Sequence, residues 1–171
     1  IVSVNAVFTW GPLVFFAILA VVMFRDPKKL PFTLKSIAAL VAIRAIFITL
    51  THLGPPPDAV AMAALNTNWL AEFLNTNPAY TFITSSGSDL FFSGHAGLPF
   101  IIALIFWKDK GIRIYGLATA VFFRVVVLLG HLHYSIDVAS AFFITYGIYH
   151  IVIHVFKADR ERFLGTYTQK I

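Results

Sequence analysis

Long apolar runs alternate with short polar breaks along this chain. Five runs stand out, at residues 1–24, 34–53, 90–107, 112–129 and 134–156. Each is roughly 17 to 24 residues long, the length a helix needs to cross the hydrocarbon core of a bilayer. The first can equally begin near Phe8. Because the chain is already apolar at Ile1, an upstream segment with room for one more span is expected. The opening run does not read as a signal peptide, since it lacks a basic start and a small-residue cleavage site before Arg25. The one long connection, residues 54–89, has Pro55, Pro56 and Pro57 closing the second run and a segment, 59–74, patterned as a short amphipathic helix. Asp58 is placed to cap that helix, and Asn75 to Pro78 to end it. The expected architecture is therefore an all-α, multipass helical bundle of one domain, with outer loop 54–89 and tail 157–171.

Composition agrees with this pattern and excludes a water-soluble domain: 58% of residues are hydrophobic and 12% charged. The net charge of +5 raises nucleic acid as a partner, but the distribution of charge argues against it. Eleven of the thirteen basic residues fall on alternate connections: Arg25, Lys28, Lys29 and Lys35; then Lys108, Lys110 and Arg113; then Lys157, Arg160, Arg162 and Lys170. The connection 54–89 has none. By the positive-inside rule the basic connections face the cytoplasm, which puts 54–89 and the turn at 131–133 on the outer side, periplasmic, lumenal or extracellular according to the host. With no cysteine there is neither a disulfide nor a thiolate metal site.

Two polar motifs open on that outer side, Phe92-Ser93-Gly94-His95 and His133-Tyr134-Ser135-Ile136-Asp137. On a helix, residues four apart share a face about 6 Å along the axis, so Asp137 is placed to hold and polarise the His133 imidazole. A carboxylate at the end of an apolar run needs such a partner. Alternatively, the two groups satisfy each other and cap the last helix. His95 follows the small residues Ser93 and Gly94, where helix-start amides and a close backbone suit an anion such as phosphate, and a histidine there can serve as acid or base. Arg44 lies mid-run, about 15 Å from either end, and requires an acceptor: Asp89, Asp137, a backbone carbonyl or a bound anionic headgroup. Arg124, near the outer end of the fourth run, is open to the same roles. His131 and His52 read as hydrogen-bonded neighbours on the outer face. His150 and His154 have the i, i+4 spacing of a metal or haem pair but no second ligand-bearing segment at their depth.

The motif Ser93-Gly94-His95, followed by Gly130-His131-Leu132-His133-Tyr134-Ser135-Ile136-Asp137-Val138, resembles the active-site motifs of the phosphatidic acid phosphatase type 2 superfamily, and within it the sphingomyelin synthase branch. The segment from Gly87-Ser88-Asp89 into His95 is similar to that branch's other active-site motif, and Arg44 with Thr51 and the Pro55 to Pro57 turn to an upstream one. The likeness covers residues 44–150. It implies six spans, a phospholipid donor and either a lipid alcohol (ceramide or diacylglycerol) or water as acceptor. It also implies a metal-free mechanism without a cofactor, and is compatible with a homo-oligomer. His133 would attack phosphorus, Asp137 would activate it, and His95 would protonate the leaving alkoxide and then activate the acceptor. Arg44, Arg124, Ser93, Gly94, Asp89 and His131 would border the phosphate. Departures exist: Arg124 precedes His133 by nine residues, about a helical turn further than the superfamily's phosphatases require; Phe92 replaces their proline; and Ser86 stands where the synthase branch has a cysteine. The competing expectations are a lipid phosphatase or phospholipase C-like hydrolase and a non-enzymatic, histidine-bearing membrane subunit.

Overall fold

A computed structural model describes residues 5–51, 91–130 and 133–165. These residues are helical apart from short turns: α1 (Asn5–Arg25), a 3₁₀ turn (Pro27–Lys29), α2 (Leu30–Thr51), α3 (Gly94–Ile105), α4 (Lys110–Leu129), α5 (Ser135–Val155) and α6 (Lys157–Phe163). The amphipathic helix expected at 59–74, together with His52, Asp89 and His131, lies outside the described residues.

The centre of the bundle is α3. All its residues except Phe100 are buried, and it packs on α4, α5 and α2. Small residues set the separations. A Cβ added to Gly116 of α4 would stand 2.9 Å from the Pro99 carbonyl oxygen and 3.0 Å from Ala103 Cβ. One added to Gly97 of α3 would stand 3.0 Å from Thr145 Oγ1 of α5. Hydrogen at both positions lets the backbones approach as they do in small-residue membrane interfaces. Leu40, Phe92, Ile101, Ile102, Ala141 and Ile148 fill the space between. The outward side chains are equally apolar, among them Val14, Val21, Ile46, Phe122, Phe143 and Val155. A helix that is hydrophobic on every face needs an apolar surrounding medium.

Three helical segments are long and apolar enough to cross a membrane, Pro27–Thr51, Lys110–Leu129 and Ser135–Val155; Trp10–Arg25 and Gly94–Ile105 are apolar but shorter. The expected third span, 90–107, is therefore corrected. Its helix has 12 residues, about 18 Å of rise against a core of about 30 Å. Residues 91–93 are not helical, and the Ser93 amide instead donates to the Asp137 carbonyl at 3.2 Å.

The basic connections gather at one end. There Lys35 pairs with Asp159 of α6, and Lys29 lies over the rings of Phe106 (5.7 Å) and Phe163 (5.9 Å). Arg113 donates to the Trp107 carbonyl at 3.0 Å, and the Asp109 carboxylate caps α4 by accepting from the Ile112 amide at 3.1 Å. The two histidine motifs occupy the opposite end.

Candidate active site

At that opposite end α3 and α5 begin side by side. The Ser93 to Asp137 backbone hydrogen bond joins their first turns directly, so motifs some forty positions apart in sequence share one buried locus. Ser93 and Asp137 are fully buried, and His95 and His133 are nearly so. A third segment arrives from α2. Arg44, 4% exposed, donates from Nε to the Phe92 carbonyl at 2.8 Å. Of the acceptors considered from sequence, the backbone carbonyl is the one observed among the described residues, and Asp89 lies outside them. The arginine thereby fixes the residue just before the Ser-Gly-His turn.

His133 and Asp137 meet differently from the geometry expected of one helix face. Helix α5 begins at Ser135, which leaves His133 in the turn ahead of it. The contact runs across the helix start, His133 Nδ1 to Asp137 Oδ2, at 3.8 Å. That is an ionic contact distance, longer than a hydrogen bond. The physical reason is a competing donor. Oδ2 accepts from the Tyr134 amide at 3.1 Å, the backward bond that an acidic residue at the third helical position makes to its N-cap. Capping and orientation of the imidazole thus use the same oxygen. Asp137 Oδ1 and His133 Nδ1 have no hydrogen-bond partner among the described residues.

On the other side of the locus, Ser93 is the N-cap of α3, yet its hydroxyl makes no capping bond and is buried without a partner among the described residues. The first amides of any helix lack intrahelical acceptors, so the start of α3 offers a buried hydroxyl and a set of N–H donors together. This is the chemistry of an anion site. Next in the chain, His95 packs edge-on against Phe123 of α4, ring centres 5.8 Å apart. It borders a cavity of about 20 Å³ with Gly94, Pro12, Phe15, Phe16, Leu98, Pro99 and Phe123.

Arg124 does not join this group. Its guanidinium lies 4.5 Å from the centre of the Phe142 ring, which packs on Phe100 in turn. His150 and His154 are exposed on α5; His150 packs against Tyr146 and Tyr149, and His154 Nδ1 lies 2.7 Å from the His150 carbonyl. Among the described residues no three histidine or acidic side chains gather as a metal would need.

Two participants carried no readable signal in the sequence, and a third was visible there without an assigned role. The Phe92 carbonyl holds Arg44, but backbone acceptors have no sequence signature. Phe123 touches His95, yet it is one of 18 phenylalanines. Thr145, fully buried with a hydroxyl that has no partner among the described residues, was detectable as a polar position in the middle of an apolar run. No protein-family model, curated protein or solved structure matches this chain.

Proposed function

We propose that this chain is an integral membrane lipid phosphotransferase, similar in mechanism to the sphingomyelin synthase branch of the phosphatidic acid phosphatase type 2 superfamily. On this reading its helices form a multipass bundle in which α3 is a short, buried central helix, and the basic end faces the cytoplasm. The reaction then takes place on the outer side.

The observation that carries the reading is the meeting of the two histidine motifs at the joined starts of α3 and α5, with Arg44 bracing the first of them. In the first half-reaction His133 attacks the phosphorus of a phospholipid headgroup ester through Nε2. The phosphorus–oxygen bond to the diacylglycerol moiety breaks, and His95 delivers its proton to the departing alkoxide. The Nδ1 proton of His133 faces Asp137, whose carboxylate stabilises the positive charge the ring acquires. The amides and hydroxyl at the start of α3 receive the negative charge building on the phosphoryl oxygens. In the second half-reaction His95, now a base, removes the proton of an acceptor hydroxyl. That oxygen attacks phosphorus, the nitrogen–phosphorus bond breaks, and His133 is restored.

One observation favours a second reading, hydrolysis. The cavity beside His95, about 20 Å³, has the size of a single water molecule. Product analysis separates the two. Purified protein in mixed micelles receives a phospholipid labelled in its headgroup, with and without ceramide or diacylglycerol. Labelled headgroup on the acceptor, absent with His133→Ala, supports transfer; release to water supports hydrolysis; no product from several headgroups would refute both.

A further inference from the structure

We infer that the cleft between α1 and α4 holds an acyl chain of the lipid acceptor, and that Phe123 is the residue deciding whether that lipid reaches His95. The inference rests on the phosphotransferase reading for its chemistry but on separate observations for its geometry.

Three spaces follow one another between these helices. The first is the cavity of about 20 Å³ at His95. The second, an open cleft of about 420 Å³, is lined by Val7, Trp10, Val14, Phe15, Phe122 and Phe123, among others. The third, of about 200 Å³, lies toward the basic end, bordered by Ile18, Val22, Ile102 and Ile112. Phe15 borders all three spaces, and its ring stacks on Tyr115 at 5.6 Å between the second and third. Phe123 and Phe15 are the walls the first two share, and of these Phe123 is the one whose ring packs against His95. Its ring is seated where Gly11 has no side chain, since a Cβ there would overlap it.

The lining decides the occupant. Among the described residues no Asp, Glu, Lys or Arg borders any of the three spaces, and His95 reaches the first alone, so an ion or a headgroup has no counter-charge in the cleft. The cleft opens between bilayer-length apolar helix and its apolar neighbour, with Val14 and Phe122 both more than half exposed; the medium reaching it is lipid. Phe123 lies six residues before the end of α4 at Leu129, which puts His95 about 9 Å inward from that end. An acceptor drawn about 9 Å inward from that end, with its chain running along α1 toward the basic end, has its hydroxyl beside Phe123. With the ring in place, the space described beside His95 is water-sized. Swung aside, the ring merges that space with the cleft and admits the hydroxyl. Phe123 is thus a specificity residue, favouring lipid over water when displaced.

The test uses the full chain in phosphatidylcholine vesicles with a diacylglycerol carrying a diazirine in one acyl chain, irradiated and mapped by peptide mass spectrometry. Expected adducts fall on Trp10, Val14 and Phe122 in excess over the lipid-facing Phe143 and Ile151 of α5, and are competed by unlabelled diacylglycerol. Phe123→Ala extends them several-fold to Leu98 and Pro99, and Phe123→Leu, which keeps more of the packing, does so to a smaller degree. Cleft labelling no greater than that of α5, or α3 labelling unchanged in both variants, would overturn the inference. In parallel, Phe123→Trp should lower the ratio of transfer to hydrolysis. Adducts as expected with no turnover in the unaltered protein would leave the cleft standing and remove the phosphotransferase reading; turnover with unaltered adducts would do the opposite.

Discussion

At the residue scale the decisive atom is the shared oxygen of Asp137. Because Oδ2 serves both the Tyr134 amide and the His133 ring, two substitutions separate its roles. Asp137→Asn keeps an oxygen acceptor for the amide and loses the charge. Turnover should fall by about 10² to 10⁴-fold, with little change in the thermal unfolding midpoint in detergent. Asp137→Ala loses both roles and should in addition lower stability by about 0.5–2 kcal/mol. A purely structural aspartate would instead give an active, unstable Asp137→Asn protein. Arg44→Met leaves the buried Phe92 carbonyl without its donor, at a cost of about 1–3 kcal/mol, measured as a lower unfolding midpoint. His95, His133, Asp137 and Arg44 were all legible in the sequence, because polar groups in apolar runs need a reason to be there. Their geometry was not. Where a helix starts depends on which acceptor wins each amide, and at Tyr134 the Asp137 carboxylate won, so His133 fell outside the helix whose face it was expected to share.

At the element scale the packing of α3 controls where the site sits. The periodicity of apolar residues located all five long runs, but it overestimated the third. Hydropathy continues through Leu90, Phe91 and Phe92, whereas the helix waits until Gly94. Nothing in a run of apolar side chains says that the Ser93 amide will be taken by another helix. The close approach at Gly116 was equally invisible, since a glycine's neighbours across an interface have no local signature. Gly116→Ala should force α3 and α4 apart at the Pro99 carbonyl, lowering stability by about 1–3 kcal/mol and reducing turnover through the displaced His95. Circular dichroism melts and activity on one preparation check this, and a stable, fully active Gly116→Ala protein would show that the contact yields freely.

At the scale of the whole molecule, the basic end and the histidine end are opposite poles of one bundle, and the charge distribution already separated them in the sequence. The proposed orientation makes a direct prediction, helped by the absence of native cysteine. In intact cells Asp58→Cys should react with an impermeant maleimide, and Lys157→Cys only after permeabilisation; the reverse pattern would put the histidines on the cytoplasmic side. Orientation bears on which lipids the site meets, but the chemistry turns on a covalent bond to one ring. Rapid quenching of the protein with a phospholipid, followed by peptide mass spectrometry under neutral conditions, tests for that bond most directly. The expected result is the phospho-headgroup mass on His133, absent from His133→Ala. With a nitrophenyl headgroup ester, whose leaving group needs no proton, the adduct should accumulate in His95→Ala, because the second half-reaction still requires the missing base. Turnover without any adduct on His133, or with the adduct on another residue, would contradict the mechanism.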